Sequence, residues 1–137
     1  NVTGVQTCAL PIYTLWRDWS PGHTPDPEDL RALKATFDAP GALSAALDYY
    51  RFVHGTKPAD PALETVQAAF LAPITVPTLY LHGADDGCMG AGMVSAAELE
   101  PHYQAGLEVE VVPGAGHFLH LEQPEAINAR IVEFLTR

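Results

Sequence analysis

Two residues stand out as able to do chemistry together: Asp86, in Gly83-Ala84-Asp85-Asp86, and His117, in Gly114-Ala115-Gly116-His117. Each follows a short apolar run with strand character and stands in a glycine-bearing loop. A carboxylate hydrogen-bonded to one imidazole nitrogen fixes the ring's tautomer. It also stabilises the imidazolium formed when the other nitrogen takes a proton from a nucleophile or from water. In open α/β sheets such groups gather outside the carboxyl ends of the strands. A right-handed crossover through one helix makes two parallel strands neighbours or near neighbours, so both loops are expected at the same sheet edge. Taken singly, Asp86 also reads as a turn aspartate and His117 as a loop histidine beside a flexible glycine. His120, three residues beyond His117, offers a metal-ligand pair, but no third ligand lies at a usual spacing and no metal is expected.

A nucleophile is harder to find. The nucleophile elbow sets its residue between glycines on a strand-to-helix turn. Ser44 and Ser95 lie inside helical patterns, and Ser20 has only the trailing glycine of Trp19-Ser20-Pro21-Gly22. Cys88, in Asp86-Gly87-Cys88-Met89-Gly90, follows the wrong strand and lacks the leading glycine. The loop that would form an oxyanion hole after an early strand is also missing from the pattern.

The elements that must position Asp86 and His117 lie in the second half of the chain. Val76 to His82 is a short, nearly continuous apolar run ending at Gly83, as expected of a parallel strand covered on both faces. Met93 to Tyr103 reads as a helix. Leu107 to Val112 reads as a second strand, with Glu108 and Glu110 marking a wetter face or a position near the sheet edge. Pro124 then opens an amphipathic helix with Ile127, Ile131, Phe134 and Leu135 on one face. The first half is helical. Asp26 caps a helix with Pro27 at its first position and Leu30, Leu33 and Phe37 on one face. A second follows Pro40, carries Leu43, Leu47 and Tyr50 on a stripe, and stops at Gly55. A third starts at Asp60-Pro61 and is expected to bury Leu63, Val66 and Phe70. Three short helices without a strand are too thin for a stable bundle and are expected to pack on something else. The organisation read from the sequence is therefore an uninformative or disordered stretch over 1–12, a helical segment over 13–71, and an α/β portion over 72–137.

From Val76 to Arg137, the order of strand, G-x-x-D, helix, strand, G-x-G-H and a helix introduced by Glu122-Gln123-Pro124 resembles the way α/β-hydrolases end. The resemblance implies an α/β fold of which this chain is the C-terminal portion. It assigns Asp86, on the last position of G-x-x-D, as the acid of a catalytic triad and His117 as its histidine, the nucleophile coming earlier in the chain. Asp85 would be a loop residue or a supporting partner. The helices over 13–71 resemble the helical cap that this family inserts before the acid-bearing strand. In epoxide hydrolases a cap tyrosine, in a setting like Tyr49-Tyr50-Arg51, donates a hydrogen bond to the opening epoxide oxygen, which makes Tyr50 a candidate substrate-binding residue. Its place on an apolar stripe equally suits packing. The opening NVTGVQTCALPI resembles translated adapter sequence found at the ends of fragmentary metagenomic reading frames.

The implied activity is hydrolysis of a small ester- or epoxide-like substrate, with no cofactor, the parent protein supplying a missing N-terminal half. A serine nucleophile would make the parent an esterase, and an aspartate nucleophile an epoxide hydrolase or dehalogenase. The alternative is a non-catalytic fragment or binding module, inactive alone. Composition narrows the partners further. Seventeen acidic against seven basic residues give a formal charge of -10, which repels nucleic acid and anionic membrane surfaces. No apolar run approaches the roughly 20 residues of a membrane span, and no basic-then-apolar leader opens the chain, so a cytoplasmic location is expected. Cys8 and Cys88 stand far apart and suggest neither a disulfide framework nor a zinc site.

Overall fold

The computed structural model describes residues 9–56, 58, 60–69, 72–93 and 95–137. In chain order its regular elements are α1 (Ala9–Trp19), α2 (Pro27–Asp38), α3 (Ala42–Val53), α4 (Glu64–Ala68), β1 (Thr78–Gly83), α5 (Ala96–Leu99), β2 (Leu107–Val112), α6 (Leu119–Glu122) and α7 (Pro124–Leu135). The chain forms two compact units. One runs over Pro25–Ala72; the other combines Leu10–Thr24 with Pro73–Arg137.

The helical unit obeys its punctuation. The Asp26 carboxylate accepts the Glu28 backbone N–H at 2.6 Å, and Pro27, Glu28 and Asp29 fill the first turn of α2, where a missing N–H and negative charge are both favoured. Gly41 at φ 83° precedes α3, and Gly55 at φ 69° comes just after its end, a left-handed stop that suits glycine. Asp60 accepts the Ala62 N–H at 2.9 Å, but it caps a 3-10 turn that leads into only the five residues of α4. Leu63 and Val66, expected to be buried, are therefore exposed, and Phe70 lies outside the described residues. Neither α2 nor α3 buries a residue, as expected of helices too thin to enclose a core of their own.

In the second unit β1 and β2 pair in parallel, from Thr78 opposite Leu107 to Gly83 opposite Val112. The β-α-β reading holds, but the crossover is not one helix. It breaks into a 3-10 turn at Ala91–Met93, α5, and a second 3-10 turn at Glu100–His102. Ser95, read as a helix-interior residue, is instead the N-cap of α5: its hydroxyl accepts the Glu98 N–H and the Glu98 carboxylate accepts the Ser95 N–H, a reciprocal capping box. Pro101, which has no N–H to donate, prevents α5 from continuing.

The core of this unit is small, built on Val112, Ala115 and Ile127 with Leu81 and Leu119 packed against them. The strand expected to be covered on both faces is half-buried over Thr78 to Leu81, and only His82 and Gly83 at its carboxyl end are enclosed. Glu108 and Glu110 face α7, where Arg130 bonds to both at 2.6 and 2.7 Å, so the wetter face of β2 is a charged seam. Ile127 is buried as expected, whereas Ile131 and Leu135 are exposed.

Helix α1 departs most from expectation. It begins at Ala9, inside the stretch expected to be uninformative or disordered, and Ile12 on it is buried. By packing, residues 13–24, expected with the cap helices, belong to the unit that holds the strands. The α1 sequence, ALPIYTLWRDW, has no acidic residue in its first turn, so the charge pattern that marks the start of α2 is missing here.

Candidate active site

Beyond the strand ends the parallel ladder continues into the two loops. Ala84 N–H donates to Val112 O at 2.9 Å and Asp85 N–H to Ala115 O at 2.9 Å. These bonds tie the acid loop to the histidine loop residue by residue, and bring Asp86 against His117. The His117 Nδ1 lies 2.9 Å from Asp86 Oδ2. The other carboxylate oxygen, Oδ1, accepts the backbone N–H groups of Cys88 at 2.7 Å and Met89 at 3.0 Å. Asp86 is only 8% exposed. Burial pushes its carboxyl up, but the Met89 N–H, the His117 imidazole and the Cys88 N–H together outweigh that and hold it below the ordinary aspartate value. Asp86 is therefore an anion oriented on both oxygens. Asp85, its neighbour, is exposed.

The His117 ring is partly open to solvent, with 29% of its side chain accessible, and lies edge-on to Trp19 and Phe118 at centroid distances of 4.9 and 5.1 Å. With Nδ1 engaged by a carboxylate, Nε2 is the nitrogen left to exchange a proton. No hydroxyl or thiol among the described residues is hydrogen-bonded to it. Cys88 Sγ, Asp86 and His117 do offer three potential ligand atoms within 4.8 Å of one another. Burial, with the Asp86 charge adding to it, pushes the Cys88 thiol up, the opposite of what an activated cysteine needs. His120 is exposed and belongs to no such group among the described residues.

No sequence pattern announced the support beneath the two loops, which comes from the carboxyl end of α1. The Trp19 carbonyl accepts both the His117 N–H at 2.9 Å and the Gly87 N–H at 3.2 Å, so one helix-terminal carbonyl clamps the acid loop to the histidine loop. Ser20, fully buried, donates its hydroxyl to Glu122 Oε1 at 2.7 Å and accepts the Phe118 N–H at 3.1 Å. Glu122 also accepts the N–H groups of Gly116 at 2.8 Å and Phe118 at 3.1 Å. Ser20 thus fails as a nucleophile for a physical reason: its hydroxyl is committed to the backbone behind His117. Tyr50 lies on α3, in the other unit, 46% exposed, with the Tyr49 ring edge-on at 5.5 Å. It is not packed into a core.

A family model described as "Alpha/beta hydrolase family" matches residues 3–130, nearly the whole chain. The chain belongs to the α/β-hydrolase family. Among its relatives, mouse Epoxide hydrolase 3 is 30% identical over 124 residues, which are 90% of this chain and 30% of that protein. Carboxylesterase YbfK of Bacillus subtilis is 39% identical over 67 residues, 47% of this chain and 21% of the esterase. This α/β-hydrolase chain therefore spans less than a third of either relative. A crystal structure from Klebsiella pneumoniae, provisionally assigned as an epoxide hydrolase, superposes with a TM-score of 0.79 at 23% identity, over 93% of this chain and 42% of that one. The last match agrees with the α/β-hydrolase fold. Among the described residues no helix is long and apolar enough to cross a membrane.

Proposed function

We propose that Asp86 and His117 are the acid and histidine of a hydrolase site acting on a small epoxide-like substrate. The observation that carries this reading is the 2.9 Å bond from His117 Nδ1 to a buried carboxylate fixed on both oxygens. A carboxylate so held keeps its charge, selects the tautomer with Nε2 bare, and stabilises the imidazolium when Nε2 takes a proton. In the epoxide reading a carboxylate nucleophile from outside these residues opens the ring to a covalent ester. His117 then activates the water that hydrolyses that ester. The likeness to mouse Epoxide hydrolase 3 over nine-tenths of the chain supports the epoxide over the ester. The match to YbfK supports a second reading, an ester substrate with a serine nucleophile.

On either reading the chain is the C-terminal portion of a longer protein, which supplies the nucleophile and oxyanion donors; alone, the chain is expected to turn nothing over. The experiment recovers the reading frame upstream of Tyr13, expresses the protein it encodes, and measures styrene oxide and p-nitrophenyl acetate hydrolysis. Asp86→Asn should lower the rate by about 10⁴-fold and His117→Ala by on the order of 10⁶-fold, as loss of these triad members does. Retention of the rate by His117→Ala would refute the assignment, and the preferred substrate decides between the two nucleophiles.

A further inference from the structure

Behind Asp86, on the buried side, stands a second histidine that the paired site does not use. His82 is the penultimate residue of β1, 6% exposed, and its Nε2 lies 3.7 Å from Asp86 Oδ2, the oxygen that His117 engages. That nitrogen is buried without a hydrogen-bond partner. The other ring nitrogen, Nδ1, is 2.8 Å from the Tyr80 hydroxyl, two residues earlier on the same strand face, with the rings stacked at 5.8 Å. The neutral ring has two tautomers. In one, Nδ1–H donates to the tyrosine oxygen and the bare Nε2 lone pair faces a carboxylate oxygen, which is repulsive and leaves an unpaired buried acceptor. In the other, the Tyr80 hydroxyl donates to Nδ1, and Nε2–H faces the anion. Only the second lets every group in the row Tyr80, His82, Asp86 meet a complementary neighbour. The Tyr80 phenol fits the donor role: burial, then the Asp86 charge, then Tyr103 all push its ionisation up, so it keeps its proton.

We propose that His82 is a positioning residue for Asp86, its Nε2–H held toward Oδ2 by the Tyr80 hydroxyl so that the carboxylate presents that oxygen to His117. The proposal rests on reading Asp86 as the acid of the site. At 3.7 Å the approach is longer than a hydrogen bond, so the contribution is an N–H dipole aimed at a buried charge, in surroundings where water does not screen it. Sequence alone could not separate His82 from an ordinary strand residue at the end of an apolar run. Its burial and its orphaned nitrogen distinguish it.

The test uses the chain labelled with ¹⁵N and ¹³C. Long-range proton–nitrogen correlation of the imidazoles reads the His82 tautomer, and the carboxyl carbon resonance reads the titration midpoint of Asp86. His82 is expected to carry its proton on Nε2. In His82→Phe, which keeps the flat ring and loses the donor, the Asp86 midpoint should move upward, and His82→Gln, whose amide restores a donor, should return it toward wild type. Tyr80→Phe should shift the His82 tautomer toward Nδ1–H, which serves as the decisive measurement if His82→Phe fails to fold. A wild-type His82 protonated on Nδ1, a tautomer indifferent to Tyr80→Phe, or an Asp86 midpoint unmoved in a folded His82→Phe would each overturn the proposal. Failure of the pair itself has another signature: an Asp86 midpoint unmoved by His117→Ala.

Discussion

Gly116→Ala tests whether the carboxyl end of α1 sets the geometry of the site. Gly116 has an ordinary negative-φ backbone, so any penalty for a methyl group comes from space alone. The added Cβ would sit 2.6 Å from Ser20 Cα, 2.8 Å from Trp19 O and 2.9 Å from Ser20 Oγ, and two of those three are backbone atoms that cannot rotate away. To reach an ordinary contact of 3.4 Å the end of α1 and the histidine loop must separate by about 0.8 Å. The His117 N–H to Trp19 O bond, now 2.9 Å, then opens past the working range of about 3.2 Å, and the Ser20 to Phe118 contact at 3.1 Å opens with it. Overpacking costs roughly 1–3 kcal/mol and a backbone N–H left unpaired in a buried site about 1–3 kcal/mol more. Relaxation shares these terms, so the expected loss is about 2–4 kcal/mol. That is a large part of the stability of a small domain. Urea unfolding followed by tryptophan fluorescence measures it, since Trp16 and Trp19 lie at the contact. Gly22→Ala, with nothing within 4 Å of the new methyl, is the control and should stay within about 0.5 kcal/mol of wild type. A Gly116→Ala variant as stable as Gly22→Ala, with the Asp86–His117 contact intact, would refute the claim that α1 clamps the two loops.

Asp86 is held below the ordinary aspartate value in the folded chain, so its ionised form stabilises the fold fully above the unfolded value and that contribution is lost as pH falls through the folded one. The stability gap between wild type and Asp86→Asn, measured by urea titration, should be widest near pH 7 and close as pH drops below about 4; a gap independent of pH would contradict the argument. Ser20→Ala removes a buried hydroxyl that donates to Glu122 and accepts from Phe118, and should cost about 1–3 kcal/mol in the same assay, a neutral outcome showing that water replaces it. Arg130→Met breaks the seam to Glu108 and Glu110, two half-exposed carboxylates, and should lower the melting temperature slightly at low salt and not at about 1 M salt, where the screening length is about 3 Å.

How much could be read in advance depended on the range of the interaction. Asp26, Pro27 and Gly55 act on backbone within a few residues, and the helices they bound formed as expected. The strands at Thr78–Gly83 and Leu107–Val112 were legible because their apolar runs are short and end in glycine or proline. Local signals also misled where two competed. Apolar spacing favoured one helix from Met93 to Tyr103, but Ser95 is a better cap than interior residue and Pro101 cannot extend the ladder, so the crossover fragments. The half-buried state of β1 depends on sheet width, which no window of residues reports.

The meeting of Asp86 and His117 was legible because each comes after its own strand in a short loop, and the parallel register does the rest: Gly83 opposite Val112 sets the two loops side by side, and two further backbone bonds carry that pairing to Asp86 and His117. The support for that pairing is of a different kind. Ser20 lies 98 residues from Phe118, whose N–H it receives, and neither Ser20 nor Trp19 sits in a motif. Glu122 was noticed only as part of the Glu-x-Pro that opens α7, although its carboxylate accepts two backbone N–H groups and the Ser20 hydroxyl around His117. A loop that must present an imidazole at fixed height exposes its own N–H groups, and each needs an acceptor. Here a helix-terminal carbonyl, a serine and a glutamate supply them. The residues proposed to react and the residues that hold them therefore answer to separate requirements. The first is visible as a pattern, and the second only when each backbone donor around His117 is traced to its acceptor.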